Sequence, residues 1–122
     1  MESKIAIVAF SALAQSTRLD VFRLLMQHEP DGLAAGEIAE RLGLRHNTLS
    51  THLGILARAA LVDSERQSRS IIYRASLDTL RDVITFLVKD CCGGRSELCG
   101  GLIADLSACV PTTGETWRHV SE

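Results

Sequence analysis

Apolar residues recur along this chain mostly at helical spacing, in short runs broken by turn residues. Residues 3–14 (SKIAIVAFSALA) are apolar on most sides. That pattern predicts a helix buried on more than one face, as a helix between subunits would be. Ser16-Thr17 then offer an N-cap, and Leu19, Phe22, Leu24 and Leu25 continue at helical spacing to about His28. Glu29-Pro30-Asp31-Gly32 read as a turn. Residues 33–42 (LAAGEIAERL) predict a short helix with Leu33, Ile38 and Leu42 inward, ended by Gly43. Residues 45–60 (RHNTLSTHLGILARAA) predict the next helix, with Leu49, Leu53, Ile55 and Leu56 as its inner stripe. Ala59-Ala60 close it where a glycine would be expected.

The period then changes. Residues 61–67 (LVDSERQ) and 71–76 (IIYRAS) read as two strands joined by Ser68-Arg69-Ser70. Arg66, Arg69 and Arg74 fall at or near the tip of this hairpin. Leu77 to Lys89 returns to helical spacing, with Leu80, Ile84 and Leu87 on one stripe and Val83 and Phe86 beside it. Cys91-Cys92-Gly93-Gly94 ends that helix. A last helix over Glu97–Cys109 is opposed by Gly100-Gly101, and Pro111–Glu122 reads as a tail. The expected order is α-α-α-α-β-β-α plus a C-terminal segment, a mostly helical fold with one β-hairpin. It divides into a folded domain at 1–90, a cysteine-containing segment at 91–110 and a flexible tail at 111–122.

The helix at 45–60 is unusual in its N-terminal half, where Arg45, His46, Asn47, Thr48, Ser50, Thr51 and His52 crowd into two turns. Two helices joined by a few residues containing Gly, the second with such a start, describe a helix-turn-helix. In that motif the first residues of the second helix meet base edges in the major groove. Asn47 has the fork for adenine and Arg45 the fork for guanine. Thr48, Ser50 and Thr51 suit phosphates or bases, and His46 suits either. A following hairpin carrying Arg66 and Arg69 makes the motif winged, with backbone or minor-groove contacts expected at the wing. Taken alone, the helix also fits a solvated amphipathic face. The turn, the hairpin and the local charge together favour DNA.

That charge is visible only when the chain is divided. The net charge is −2 overall, but residues 41–74 carry +4, between −3 on each side. All six positive charges in the middle segment are Arg: Arg41, Arg45, Arg58, Arg66, Arg69 and Arg74. A basic stretch inside an acidic protein points to an anionic partner on one face. At 122 residues, 46% of them hydrophobic and 23% charged, the chain fits one small globular domain with a short tail, and oligomerisation would help so small a core. The uncharged stretch near the N-terminus, Ile5–Ser16, is too short for a membrane span and lacks the basic leader of a signal peptide. A reducing, cytoplasmic compartment is therefore expected. Cys-x-x-Cys, paired carboxylates at useful spacing and a phosphate-cradling Gly loop are all lacking, so an enzyme is not expected.

The stretches ALAQSTRLDVFRLL (12–25), GLAAGEIAERLGL (32–44), HNTLSTHLGILARAALV (46–62) and RSIIYRAS (69–76) resemble the ArsR/SmtB family of winged helix-turn-helix repressors. The block Thr48-Leu49-Ser50-Thr51-His52-Leu53, ending in Ala59-Ala60-Leu61-Val62, carries the resemblance most strongly. It implies an obligate homodimer built from the first and last helices of the core. It also implies operator DNA as partner, and release when a metal or metalloid binds. Two departures matter. The Cys-x-Cys pair of typical arsenic-responsive members falls on Ala34 and Gly36 here. The Asp and His ligands that zinc-responsive members carry on the last core helix reduce here to Asp82 and Asp90 with no His. Arg45 also replaces the family's small residue at the cap of the recognition helix.

All four cysteines lie after residue 90: Cys91, Cys92, Cys99 and Cys109. In a reducing compartment such a cluster points to metal binding or redox chemistry rather than a disulfide framework. On one helix Cys91 and Cys92 would diverge by about 100°. Gly93-Gly94 would let the chain fold back so that Cys99 completes a three-thiolate set. Three soft thiolates with no evident fourth ligand suit trigonal trivalent arsenic or antimonite better than tetrahedral zinc. The pattern is similar to an arsenic-responsive subgroup of the same family with a C-terminal cysteine triad, which would make Cys91, Cys92 and Cys99 the metal site and As(III) the inducer, with no organic cofactor. Cys109 reads as a small apolar residue or as a fourth thiol, which would bring in cadmium, lead or zinc. A thiol redox or persulfide switch on the same fold is the alternative.

Overall fold

The computed structural model describes residues 1–91, with side chains to residue 88. The elements run α1 (Ser3–Leu13), α2 (Ser16–Gln27), β1 (Leu33–Ala34), α3 (Ala35–Leu42), α4 (His46–Arg58), β2 (Val62–Gln67), β3 (Ser70–Ala75) and α5 (Leu77–Cys91). This is the expected winged helix-turn-helix with one strand added. Leu33 and Ala34, expected to open a helix, instead pair antiparallel with Tyr73 and Ile72. The sheet order is β1-β3-β2, so β3 is the central strand. A two-residue strand carries too little periodicity to separate it from a helix start.

The core is built from one stripe of each element. Val21, Phe22 and Leu25 of α2 meet Leu33, Ile38 of α3, Leu49, Leu53 and Leu56 of α4, and Leu61, Val62, Ala75 and Val83. Each large aliphatic side chain buried there contributes about 1.5–3 kcal/mol. Leu42 and Ile55 pack beside this core half-buried, as do Leu24 and Leu80. Leu19, which continues the helical spacing of α2, is exposed (41%).

Helix α1 joins the core on one face only, through Ala9 and Ala12, with Ala6 also fully buried. These small residues at threefold spacing let its backbone come close. The larger apolar side chains Ile5, Ile7, Val8 and Phe10 stand outward, with Ile7 63% exposed. The expectation of burial on more than one face is therefore not met within one chain.

Local chemistry sets the helix ends. The α2 cap is Gln15, whose Oε1 accepts from the Arg18 N–H at 2.8 Å, rather than the expected Ser16-Thr17. Helices α3 and α4 end in the same way. Leu44 N–H donates to Ala39 O (2.9 Å) and Gly43 N–H to Glu40 O (3.4 Å). Leu61 N–H donates to Leu56 O and Ala60 N–H to Ala57 O, both at 3.0 Å. This is the Schellman pattern, which needs a left-handed residue just past the helix. Gly43 supplies it at φ 65°, and Ala60 is held there at φ 61°.

The wing is a hairpin with a turn at Ser68-Arg69, and Gln67 pairs with Ser70. Arg74 was expected near the tip but pairs with Asp63 close to the base. Its Nε donates to Pro30 O at 2.9 Å and its guanidinium to Glu65 Oε1 at 2.6 Å. Arg74 thus ties the wing to the turn before β1. That guanidinium, with Gln67 assisting, holds the Glu65 carboxyl below its ordinary range. Glu29 lies in the same turn. Burial pushes its carboxyl up, against a backbone hydrogen bond at Ala75 and the charge of Arg74, while Asp63 adds to the rise. Its Oε1 is buried without a hydrogen-bond partner.

The chain separates into two compact units, Met1–Val83 and one beginning at Ile84, so the division falls inside α5. Ser76 Oγ accepts from the Thr79 N–H at 3.4 Å at the start of that helix. The expected weak helix at 97–109 and the tail at 111–122 lie outside the described residues. Among the described residues no single helix is long and apolar enough to cross a membrane.

Candidate nucleic-acid interface

Helices α3 and α4 are joined by Gly43, Leu44 and Arg45. Leu49, Leu53 and Leu56 anchor α4 in the core, all 3% exposed or less. The opposite face is thereby fixed outward. Arg45, His46, Asn47, Thr48, Ser50 and Thr51 are all exposed, as the sequence pattern required. Asn47 and Thr51 lie near the centre of that outward face, about 40° apart, while Thr48 and Ser50 flank it.

The start of α4 is open. Arg45 is the N-cap residue, in extended backbone, and its side chain makes no capping hydrogen bond. The first helical bond is Leu49 N–H to Arg45 O. The N–H groups of His46, Asn47 and Thr48 are thus the unpaired donors of the first turn, at the positive end of the helix dipole. Such a terminus favours a phosphate. Arg45 puts a guanidinium at this cap, which adds charge without closing the end.

Two side chains are more constrained than the sequence indicated. The Thr51 hydroxyl donates to Asn47 O at 3.2 Å, which uses its one proton and leaves the oxygen able only to accept. His52 is half-buried, and its Nδ1 lies 3.3 Å from a guanidinium nitrogen of Arg18. Arg18 also donates from Nε to Ala12 O at 2.6 Å. A guanidinium only donates, so Nδ1 is the acceptor and the ring proton sits on Nε2. Arg18 therefore braces α4 against the end of α1 and sets the donor face of His52. Sequence reading missed it because a single arginine early in α2 carries no periodic signal.

The wing carries further exposed charge. Arg66 and Arg69 are exposed on the wing, Arg66 opposite Ile71 and Arg69 in the turn. Among the described residues, the ion pairs are Arg74–Glu65 and Arg81–Asp78. Arg45, Arg58, Arg66 and Arg69 thus keep their charge unpaired there, available to an anion.

Of the expected thiol site, Cys91 is the last residue of α5, described in its backbone only. Cys92, Cys99 and Cys109 lie outside the described residues. Among the described residues no three His, Cys, Asp or Glu side chains converge as metal ligands would. Ala34 lies in β1 and Gly36 in the first turn of α3, neither with a ligating side chain.

A family model for a helix-turn-helix domain matches residues 13–65. The biofilm growth-associated repressor of Agrobacterium fabrum is 33% identical over 91 residues, covering 75% of each chain. This chain belongs to the ArsR/SmtB family of winged helix-turn-helix regulators. The transcriptional activator HlyU of Vibrio cholerae is 31% identical over 87 residues, 71% of this chain and 78% of that protein. Its structure in the reduced form superimposes with a TM-score of 0.55 at 28% identity, over 70% of this chain and 87% of that one. The homodimeric winged helix-turn-helix DNA-binding domain of Mb0332 from Mycobacterium bovis shares the fold (TM-score 0.60, 22% identity, 90% of this chain and 87% of that one). This ArsR/SmtB member is a DNA-binding transcriptional regulator and not an enzyme. The open N-terminus of α4 and its exposed polar half are the elements that would carry the binding.

Proposed function

We propose that this regulator is a cytoplasmic homodimeric repressor that releases operator DNA when trivalent arsenic binds Cys91, Cys92 and Cys99. One observation carries the DNA half: the exposed, uncapped start of α4, with Arg45, Arg58, Arg66 and Arg69 unpaired among the described residues. Arg45, His46, Asn47, Thr48, Ser50, Thr51 and His52 contact DNA in this reading, with Arg66 and Arg69 on the wing. The outward Ile5, Ile7, Val8 and Phe10 of α1 support the dimer, as does the homodimeric domain of Mb0332. Two recognition helices would then enter successive major grooves about 34 Å apart.

The arsenic half rests on the chain's own donor chemistry. Three soft thiolates without a fourth ligand match trivalent arsenic, and antimonite or methylarsenite are its analogues. The positions used elsewhere in the family hold Ala34 and Gly36, or a last helix without His. Cys91 ends α5, which the family resemblance places at the dimer contact. Binding there would shift the spacing of the two reading heads, and a coupling of about 1–3 kcal/mol suffices for release.

Anisotropy of a labelled upstream duplex bound by reduced protein, titrated with arsenite at fixed salt, tests this. Release from wild type but not from Cys99→Ser is expected. DNA binding that ignores arsenite in both overturns the arsenic assignment and leaves the regulator standing. A thiol redox switch is the second reading, favoured by the reduced form in which HlyU has been described. It requires release by an oxidant or persulfide in place of arsenite.

A further inference from the structure

The outward centre of α4 is longer than the cluster of polar residues at its start. Asn47, Thr51, Gly54 and Arg58 fall within about 60° of arc, opposite the buried leucines. Gly54 is a weak choice inside a helix, costing about 1 kcal/mol relative to alanine. A Cβ placed on it would meet one neighbour within 4 Å, the guanidinium NH1 of Arg58 at 3.6 Å. The Arg58 side chain therefore folds back one turn and lies over Gly54, in the direction helical side chains lean. Arg58 is exposed and has neither an ion pair nor a side-chain hydrogen bond among the described residues.

The placement separates two kinds of contact. When a helix lies in the major groove, its outward centre faces the base edges and its flanks face the phosphates on either wall. Thr48 and Ser50 are flank residues, whereas Arg58 lies on the centre line with Asn47. Gly54 lies about 10.5 Å along the helix from Asn47, close to three base-pair steps of B-DNA. Resting on the DNA-binding reading above, we propose that Arg58 is a base-reading residue. Its fork donates to O6 and N7 of a guanine about three base pairs from the one met by Asn47. The fork would reach the base edges from the level of Gly54, one turn back along the helix.

Selection from a randomised duplex library, with full-length wild type, Asn47→Ala, Arg58→Ala and Arg58→Lys, tests the assignment. Wild type is expected to select a motif with a guanine at fixed offset from the base whose preference Asn47→Ala removes. Arg58→Ala should lose the preference at that guanine alone and bind the wild-type motif about tenfold more weakly. Arg58→Lys keeps the charge but not the planar fork, so it should lose the same preference with the salt dependence unchanged. If Arg58→Ala weakens all duplexes equally and lowers the salt slope by about one, Arg58 is a phosphate contact and the proposal is overturned. An unchanged base profile and affinity overturn it too. If wild type selects no motif, the DNA-binding reading itself fails. Urea unfolding of Arg58→Ala separates these results from loss of the fold.

Discussion

Replacing Gly32 by alanine should cost far more than the same change at Gly43, although both glycines have a left-handed backbone (φ 75° and 65°). At either position alanine meets left-handed strain of about 1–2 kcal/mol. At Gly43 that is the whole effect, because a Cβ there has nothing within 4 Å. At Gly32 the Cβ would lie 2.5 Å from the Tyr73 carbonyl oxygen, 2.8 Å from Arg74 Cγ and 2.9 Å from Ile72 Cγ2. Tyr73 and Ile72 belong to the central strand, paired on both sides, so the carbonyl cannot retreat without breaking a ladder. Forcing atoms into a packed site costs about 1–3 kcal/mol more. Gly32→Ala should therefore lose about 2–5 kcal/mol and Gly43→Ala about 1–2. The assay is urea unfolding of both variants at one protein concentration, since dimerisation contributes to apparent stability. Equal losses would refute the reasoning, because strain would then explain both and the close approach of the turn to β3 would count for nothing. The Gly32 variant should also bind DNA more weakly, since the displaced Arg74 is what anchors the wing.

Three further outcomes follow. Ala60→Gly should stabilise the protein by about 0.5–1 kcal/mol in the same assay, because an exposed alanine at φ 61° gives up strain and loses no packing. Glu29 has a folded pKa above its unfolded one, so the folded state binds the extra proton and stability from this group falls as pH rises through that window. Glu29→Gln should thus be the more stable protein at neutral pH, with the gap closing as pH drops below the carboxylate range; a gap that widens on acidification contradicts the assigned cause. Ile7→Glu, at the most exposed apolar position of α1, should shift sedimentation from dimer to monomer and weaken DNA binding with it; an unchanged dimer places the subunit contact elsewhere.

The helices and the wing were legible because their stripes are long: Leu49, Leu53 and Leu56 define α4 without any tertiary information. The exposed start of α4 was legible for the same reason, since an inner stripe fixes an outer one. What escaped was short or long-range. Leu33-Ala34 is a strand only because β3 lies beside it, and Arg74 is an anchor only because Pro30 and Glu65 come within its reach. Leu19 fits the α2 stripe by spacing, but the core covers the side occupied by Val21, Phe22 and Leu25. The bracing of His52 by Arg18 spans 34 residues and has no local signature. Ala60 shows the reverse case: the missing glycine was visible in the sequence, and the structure keeps the left-handed turn without it.

The most direct test of the account is the affinity of purified wild type and Asn47→Ala for duplex DNA upstream of the protein's own coding region, against a scrambled duplex, at one fixed salt concentration. The account predicts wild-type binding about 10³-fold or more tighter to the upstream duplex than to the scrambled one. Asn47→Ala should lose about 1–3 kcal/mol of that preference while keeping its fold and its weak non-specific binding. Equal wild-type affinity for both duplexes, or an Asn47→Ala variant with undiminished preference, would contradict the claim that the exposed start of α4 reads DNA.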